Sequence, residues 1–139
     1  MKKFVKLLNI SHKLTEDQLA QLTEMGFEEF SHPDITELVA KASNLKIEDN
    51  IATLARELVD TVWELCPHAT VLLPVGSPVF LTALAVCLRG TSQLFSHTDR
   101  ESVEVQNADG SVTKTFVFKH KGFHVVDEDG EIDFFPLNK

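Results

Sequence analysis

Ala69-Thr70-Val71-Leu72-Leu73-Pro74-Val75-Gly76-Ser77-Pro78 is the stretch that decides the fold. A strand wetted on one face alternates apolar and polar residues, whereas one covered on both faces does not. Ala69 to Leu73 reads as the second kind, a strand in the middle of a parallel sheet. The chain then turns through Pro74-Val75-Gly76, Ser77 supplies a helix-capping hydroxyl, and Pro78 suits the first helical position. Val79 to Leu88 follows as a helix that is apolar nearly all round and ends at Gly90, so it is expected to be buried.

Working back from there, Asn50 to Leu65 carries Ile51, Leu54, Ala55, Leu58, Val59 and Val62 at helical spacing. Pro33-Asp34 opens another helix with Ile35, Leu38, Val39, Ala42 and Leu45 in phase. Phe27 to Phe30 is a short strand. Thr15-Glu16-Asp17-Gln18 has the form of a capping box, followed by Leu19, Leu22 and Met25 and stopped by Gly26. Phe4 to Ile10 is a short apolar run suited to a central strand.

Working forward, Gln93 to Phe95 is a last parallel strand, with Ser96 to Arg100 expected as the loop after it. Val103 to Gln106 and Val112 to Phe118 flank Asn107-Ala108-Asp109-Gly110, a hairpin turn. Asp129-Gly130 marks a second, shorter hairpin. The pattern predicts one α/β domain over residues 1–139: a Rossmann-like three-layer sheet, mostly parallel, with a C-terminal β-hairpin.

Composition narrows the function. With 43% hydrophobic and 24% charged residues, the chain reads as an ordinary globular protein. Its net charge of −8 opposes general affinity for DNA or RNA, which rests on Lys and Arg neutralising phosphates. A small anionic ligand remains open if positive groups are concentrated locally. The longest apolar run, Val71 to Leu88, is broken by Pro74, Gly76, Ser77 and Pro78, so no membrane span is expected. Met1-Lys2-Lys3 leads into a run too short for a signal peptide, and the expected location is cytoplasmic. Cys66 and Cys87 lie on apolar helical stretches and read as reduced thiols. No Cys-x-x-Cys or helical His-x-x-x-His occurs. His120 and His124, on extended chain, stand roughly 13 Å apart. No metal and no cofactor is expected.

In open α/β sheets ligands bind beyond the carboxyl ends of the strands. Three stretches meet that description: Ser11-His12-Lys13, Gly76-Ser77-Pro78, and Ser96-His97-Thr98-Asp99-Arg100. Ser11 and His12 are residue types common in any exposed loop, and their convergence with the other two stretches is what singles them out. Gly76 and Ser77 open a helix whose free amides attract phosphate, although a plain cap explains them as well. The stretch is neither a Walker loop nor a dinucleotide fingerprint. Arg100 suits bidentate phosphate recognition, or a surface pair with Asp99 or Glu101. Lys114, Lys119, His120 and Lys121 form the most basic stretch of the chain.

Asn9-Ile10-Ser11-His12-Lys13-Leu14-Thr15, Thr98-Asp99-Arg100-Glu101-Ser102-Val103-Glu104, and Asp109-Gly110-Ser111-Val112 through Val117-Phe118-Lys119-His120 together resemble the small stand-alone Csx-type CRISPR-associated proteins. That group includes ring nucleases with a fold similar to the CARF sensor domain. The resemblance runs from about Phe4 to Phe123, in order. It departs at Gly76-Ser77-Pro78, where a more glycine-rich turn with an acidic residue would be expected, and Val125 to Lys139 is a tail extension beyond the pattern.

The resemblance implies an enzyme, a homodimer that binds cyclic oligoadenylate, most of all cyclic tetra-adenylate, across its two-fold axis and cuts it without metal. It implies catalytic roles for His12, Ser11 and Arg100, with ligand contacts from Gly76, Ser77, Thr98, Lys119 and His120. The substrate's own 2′-hydroxyl can attack the adjacent phosphate once held in line, leaving a 2′,3′-cyclic phosphate. His12 would move the proton, Ser11 would orient a phosphate or ribose, and Arg100 with Lys119 would stabilise phosphoryl charge. A sensor or sponge that binds the ring without cutting it, and an unrelated scaffold with no nucleotide ligand, are the alternatives.

Overall fold

The computed structural model describes residues 2–8, 13–73 and 77–137. In chain order these form β1 (Lys2–Lys6), α1 (Glu16–Glu24), β2 (Phe27–Phe30), α2 (Pro33–Ser43), α3 (Ile51–Leu65), β3 (Thr70–Leu73), α4 (Pro78–Cys87), β4 (Gln93–Gln106), β5 (Val112–Val126) and β6 (Ile132–Pro136). The strands make one mixed sheet in the order β2-β1-β3-β4-β5-β6. The first four are parallel, while β5 and β6 run antiparallel to their neighbours.

The local signals act as their chemistry requires. The Thr15 hydroxyl accepts from the Gln18 amide, and the Gln18 side chain accepts from the Thr15 amide, closing the capping box of α1. His32 caps α2 through its ring nitrogen, Asn50 caps α3 and Ser77 caps α4, with Pro33 and Pro78 in the first turns of α2 and α4. β3 is buried at all four positions, as a strand covered on both faces must be.

Alternation along the strands sends residues to two cores. Val5, Leu7, Val71 and Leu73 face α2, α3 and α4, whose Leu38, Ala55, Leu58, Phe80 and Leu84 complete one layer. Phe4, Leu72, Leu94 and Phe123 face the other way, against Leu22 of α1. Each fully buried Leu, Val or Phe side chain contributes about 1.5–3 kcal/mol by leaving water. Helix α1 thus covers one face, and α2, α3 and α4 cover the other.

Three expectations need correction. Ser96 to Arg100 is not a loop: β4 runs unbroken for 14 residues, because Phe116, Val117 and Phe118 give Arg100, Glu101 and Ser102 β-paired partners across the ladder. The register slips once, between His97 and Thr98, leaving Lys121 as the extra residue of a bulge. Helix α4 is buried only at its inner positions. Val79 and Val86 are 60% and 69% exposed, since α4 lies outermost and has α3 and the sheet on one side only. In α1 the buried residues are Gln21 and Leu22, while Leu19 turns to solvent. The expected second hairpin at Asp129-Gly130 forms, with β6 pairing to β5 after the Asp127–Gly130 turn.

Candidate functional site

Parallel strands β1 and β3 are neighbours, and the helices that follow them go to opposite faces, α1 to one and α4 to the other. Chain that leaves two adjacent strands in opposite directions opens a crevice at their carboxyl ends. The connections there are 7–15 and 74–77, and β4 crosses the same level at Phe95 and Ser96. The capped N-termini of α1 and α4 also lie at this edge, with their positive dipole ends.

Of the sequence candidates, Ser11, His12 and Gly76 lie outside the described residues. Ser77 is the α4 cap, its hydroxyl 3.4 Å from the Phe80 amide. Thr98 and Arg100 are exposed and, two apart on β4, point to one face of the ribbon. The Arg100 guanidinium lies 3.7 Å from the Phe116 ring centroid, a stacked cation–π arrangement that leaves the fork edge free to meet a phosphate.

Lys119 stands elsewhere. It pairs with Asp99 across the ladder, so alternation sends it to the face opposite Arg100. There Lys119 and Lys121 hold Glu101 at 3.3 and 3.0 Å, and their hydrogen bonds keep its carboxyl below the usual carboxylate range. Arg100 and Lys119 of one chain therefore do not converge on one phosphate.

His120 needs the same correction as a ligand contact, since it is buried and both ring nitrogens are occupied. Gln21 Nε2 donates to the Phe135 carbonyl at 2.7 Å, which turns Gln21 Oε1 toward His120 Nε2 at 2.6 Å. That nitrogen must carry the proton, because an amide oxygen only accepts. Nδ1 is then the acceptor, taking the Ser96 hydroxyl at 2.6 Å. Ser96 Oγ in turn accepts from Gln18 Nε2 at 3.1 Å and lies 3.0 Å from Thr98 Oγ1.

One chain of hydrogen bonds thus ties the first turns of α1 to β4, β5 and β6. Burial pushes the His120 pKa below its ordinary value, so the neutral ring that this network needs is the favoured form. Gln21 gives no signal in the sequence, where the periodicity around Leu19, Leu22 and Met25 places the apolar stripe alone.

Two further groups occupy the edge. A cavity of about 340 Å³ opens beside the ends of β1 and β2, lined among others by Lys6, Leu8, Lys13, Phe30 and His32. On the face of β4 and β5 opposite His120, His97 meets His124 with 3.3 Å between their ring nitrogens. Among the described residues no cluster of three or more His, Cys, Asp or Glu side chains has metal-holding geometry. No described helix is long and apolar enough to cross a membrane.

Comparison with curated proteins and with solved structures finds no match. A family model does match, over residues 3–124, which takes in every element from β1 through most of β5 and leaves out β6. On that match the chain belongs to the family described as the Uncharacterized protein MJ1673 family.

Proposed function

We propose that this protein is a metal-independent ring nuclease on a Rossmann-like, CARF-like sheet, binding and cutting cyclic oligoadenylate in type III CRISPR antiviral signalling. The observation that supports it best is that β1 and β3 are parallel neighbours whose following helices, α1 and α4, lie on opposite faces, the arrangement at which open α/β sheets bind ligands. In the sequence the connections after β1 and β3 carry Ser11-His12 and Gly76-Ser77, and Thr98 and Arg100 lie three and five residues past Phe95 on β4, the strand beside β3. Helix N-termini and a guanidinium are the groups a phosphodiester requires.

The reaction uses the ribose 2′-hydroxyl as nucleophile, so the protein has only to hold it in line and manage charge and a proton. Arg100 meets the phosphoryl oxygens of one phosphate, and the amides at the α4 N-terminus are a separate phosphate-binding group at the strand ends. His12 transfers the proton, since an imidazole titrates nearest neutrality. Ser11 positions the ribose or phosphate. Lys119, already held by Glu101, and His120, enclosed in its network, are not part of this set.

A single domain offers one ligand edge of its sheet, and a ring of four nucleotides is enclosed more readily when two such edges face each other. The reading therefore includes a two-fold dimer, with the bare apolar face of α4 and the ribbon as contact surfaces. A non-catalytic sensor or sponge is the second reading. It is favoured by the edge groups that the structure does describe, Thr98, Arg100 and the capped helix ends, which are binding groups rather than acids or bases.

Incubating the protein with cyclic tetra- and hexa-adenylate, with and without chelator, tests the proposal. The expected products are linear and end in a 2′,3′-cyclic phosphate, in equal yield with chelator. Tight binding with no cleavage establishes the second reading, and absence of binding removes both.

A further inference from the structure

We infer that His97 and His124 form a site for a first-row transition-metal dication such as Zn²⁺ or Ni²⁺, at the root of the ribbon. The two histidines sit on different strands, and the β4–β5 pairing brings His97 Nδ1 within 3.3 Å of His124 Nε2. Two imidazoles bound tetrahedrally to zinc at about 2.0–2.1 Å have their nitrogens about 3.3–3.4 Å apart. The existing spacing is the spacing of the occupied site, so the rings need not move apart or together.

The surroundings are those of a ligand pair. Asp99 Oδ1 lies 3.2 Å from His97 Nε2, the nitrogen facing away from His124. A carboxylate accepts only, so the His97 proton sits on Nε2 and its Nδ1 lone pair faces His124 and the site. This carboxylate–histidine arrangement fixes the ring and raises its basicity toward a metal.

Phe134 packs against both rings, at 5.8 Å from His97 and 4.7 Å from His124 by centroid, and so walls one side. His124 now donates from Nε2 to His97. On binding, its proton moves to Nδ1 and both facing lone pairs go to the metal, with no net proton released. His97 and His124 remain partly open to solvent, so water completes the coordination. Nitrogen donors select transition metals over Mg²⁺ and Ca²⁺.

The site gives β6 a purpose: Phe134 belongs to the strand that follows the family match. It is independent of the nuclease reading, because neither histidine belongs to the proposed cutting set.

Calorimetric titration of the full chain with zinc chloride and with nickel chloride, and with magnesium chloride as control, tests the inference. One Zn²⁺ per chain is expected, with no saturable Mg²⁺ binding. His97→Gln and His124→Gln should each weaken Zn²⁺ at least tenfold. Asp99→Asn, which touches no metal, should weaken it by about 10- to 100-fold. His32→Gln and His68→Gln should keep the parent's affinity. Absence of saturable Zn²⁺ binding, or parental affinity in either His97→Gln or His124→Gln, overturns the site. Cleavage that survives a chelator that strips this zinc separates the site from the proposed nuclease.

Discussion

The parallel half of the molecule, β1 to β3 with α2 to α4, and the antiparallel ribbon of β4 and β5 both carry large apolar side chains, and these end in opposite states. Val71, Leu73, Phe80 and Leu84 are fully buried. Phe116, Phe118, Val105 and Val112 are exposed, Phe118 at 72%. The first group has helices on its face; the ribbon between Thr98 and His120 extends past the last helix and has none. Hydrophobic character alone does not bury a side chain. A covering layer does.

The largest expected effect tests the covered half. Phe80→Ala leaves a cavity under α4 and should cost about 3–5 kcal/mol, read as a lower midpoint in denaturant unfolding. A loss under about 1 kcal/mol would mean that α4 is not packed on the sheet as described.

Next comes the seam between the halves. Gly122 has φ +150°, and a Cβ there would clash with the Phe135 carbonyl oxygen and meet the Phe134 ring at 2.7 Å. Backbone cannot yield as a flexible side chain does. Gly122→Ala should cost about 1–3 kcal/mol and free β6, raising amide exchange across Ile132–Pro136. Unchanged protection of β6 would contradict its close approach to β5.

The same seam carries the polar network, and here the sequence was only half legible. The capping box, the hairpin turns and the strand at Thr70–Leu73 rest on local chemistry, and local chemistry can be read in order. Gln21, Ser96 and His120 are separated by 75 and 24 residues, with 99 between the ends. Their meeting depends on the register of β4 on β5, which a bulge shifts by one at His97/Thr98. Read in order along the chain, His120 therefore looks like a ligand contact and Ser96 to Arg100 like a loop. Arg100 and Lys119 look like partners in the sequence for the same reason, since only the register puts them on opposite faces.

Stability should fall with acid through this network. Burial lowers the folded pKa of His120 below its ordinary 6.5, with His97 adding to the shift and Asp17 opposing it. The unfolded chain therefore binds the proton more readily. The contribution of His120 is full above about pH 6.5 and is lost as pH falls through the folded value. His120→Gln should flatten that slope between about pH 7 and 5. It should also cost about 1–3 kcal/mol at neutral pH, by leaving Gln21 or Ser96 short of a partner. An equally steep slope in the variant would assign it to other groups.

The smallest expected change in stability is also the sharpest test of what the ribbon does. Phe118→Ser and Arg100→Ala alter exposed side chains, and each should shift unfolding by no more than about 0.5 kcal/mol. If the exposed apolar residues are a contact surface for a second copy, Phe118→Ser should move the protein toward monomer in light scattering at micromolar concentration. Arg100→Ala should leave the assembly intact and weaken binding of cyclic tetra-adenylate together with its turnover, because a guanidinium on phosphate acts in both ground and transition states. The two variants thus separate the ribbon's apolar residues from its charged one. A parent protein that is monomeric with and without the ring removes the dimer, and an Arg100→Ala protein that binds as tightly as the parent removes Arg100 from the site.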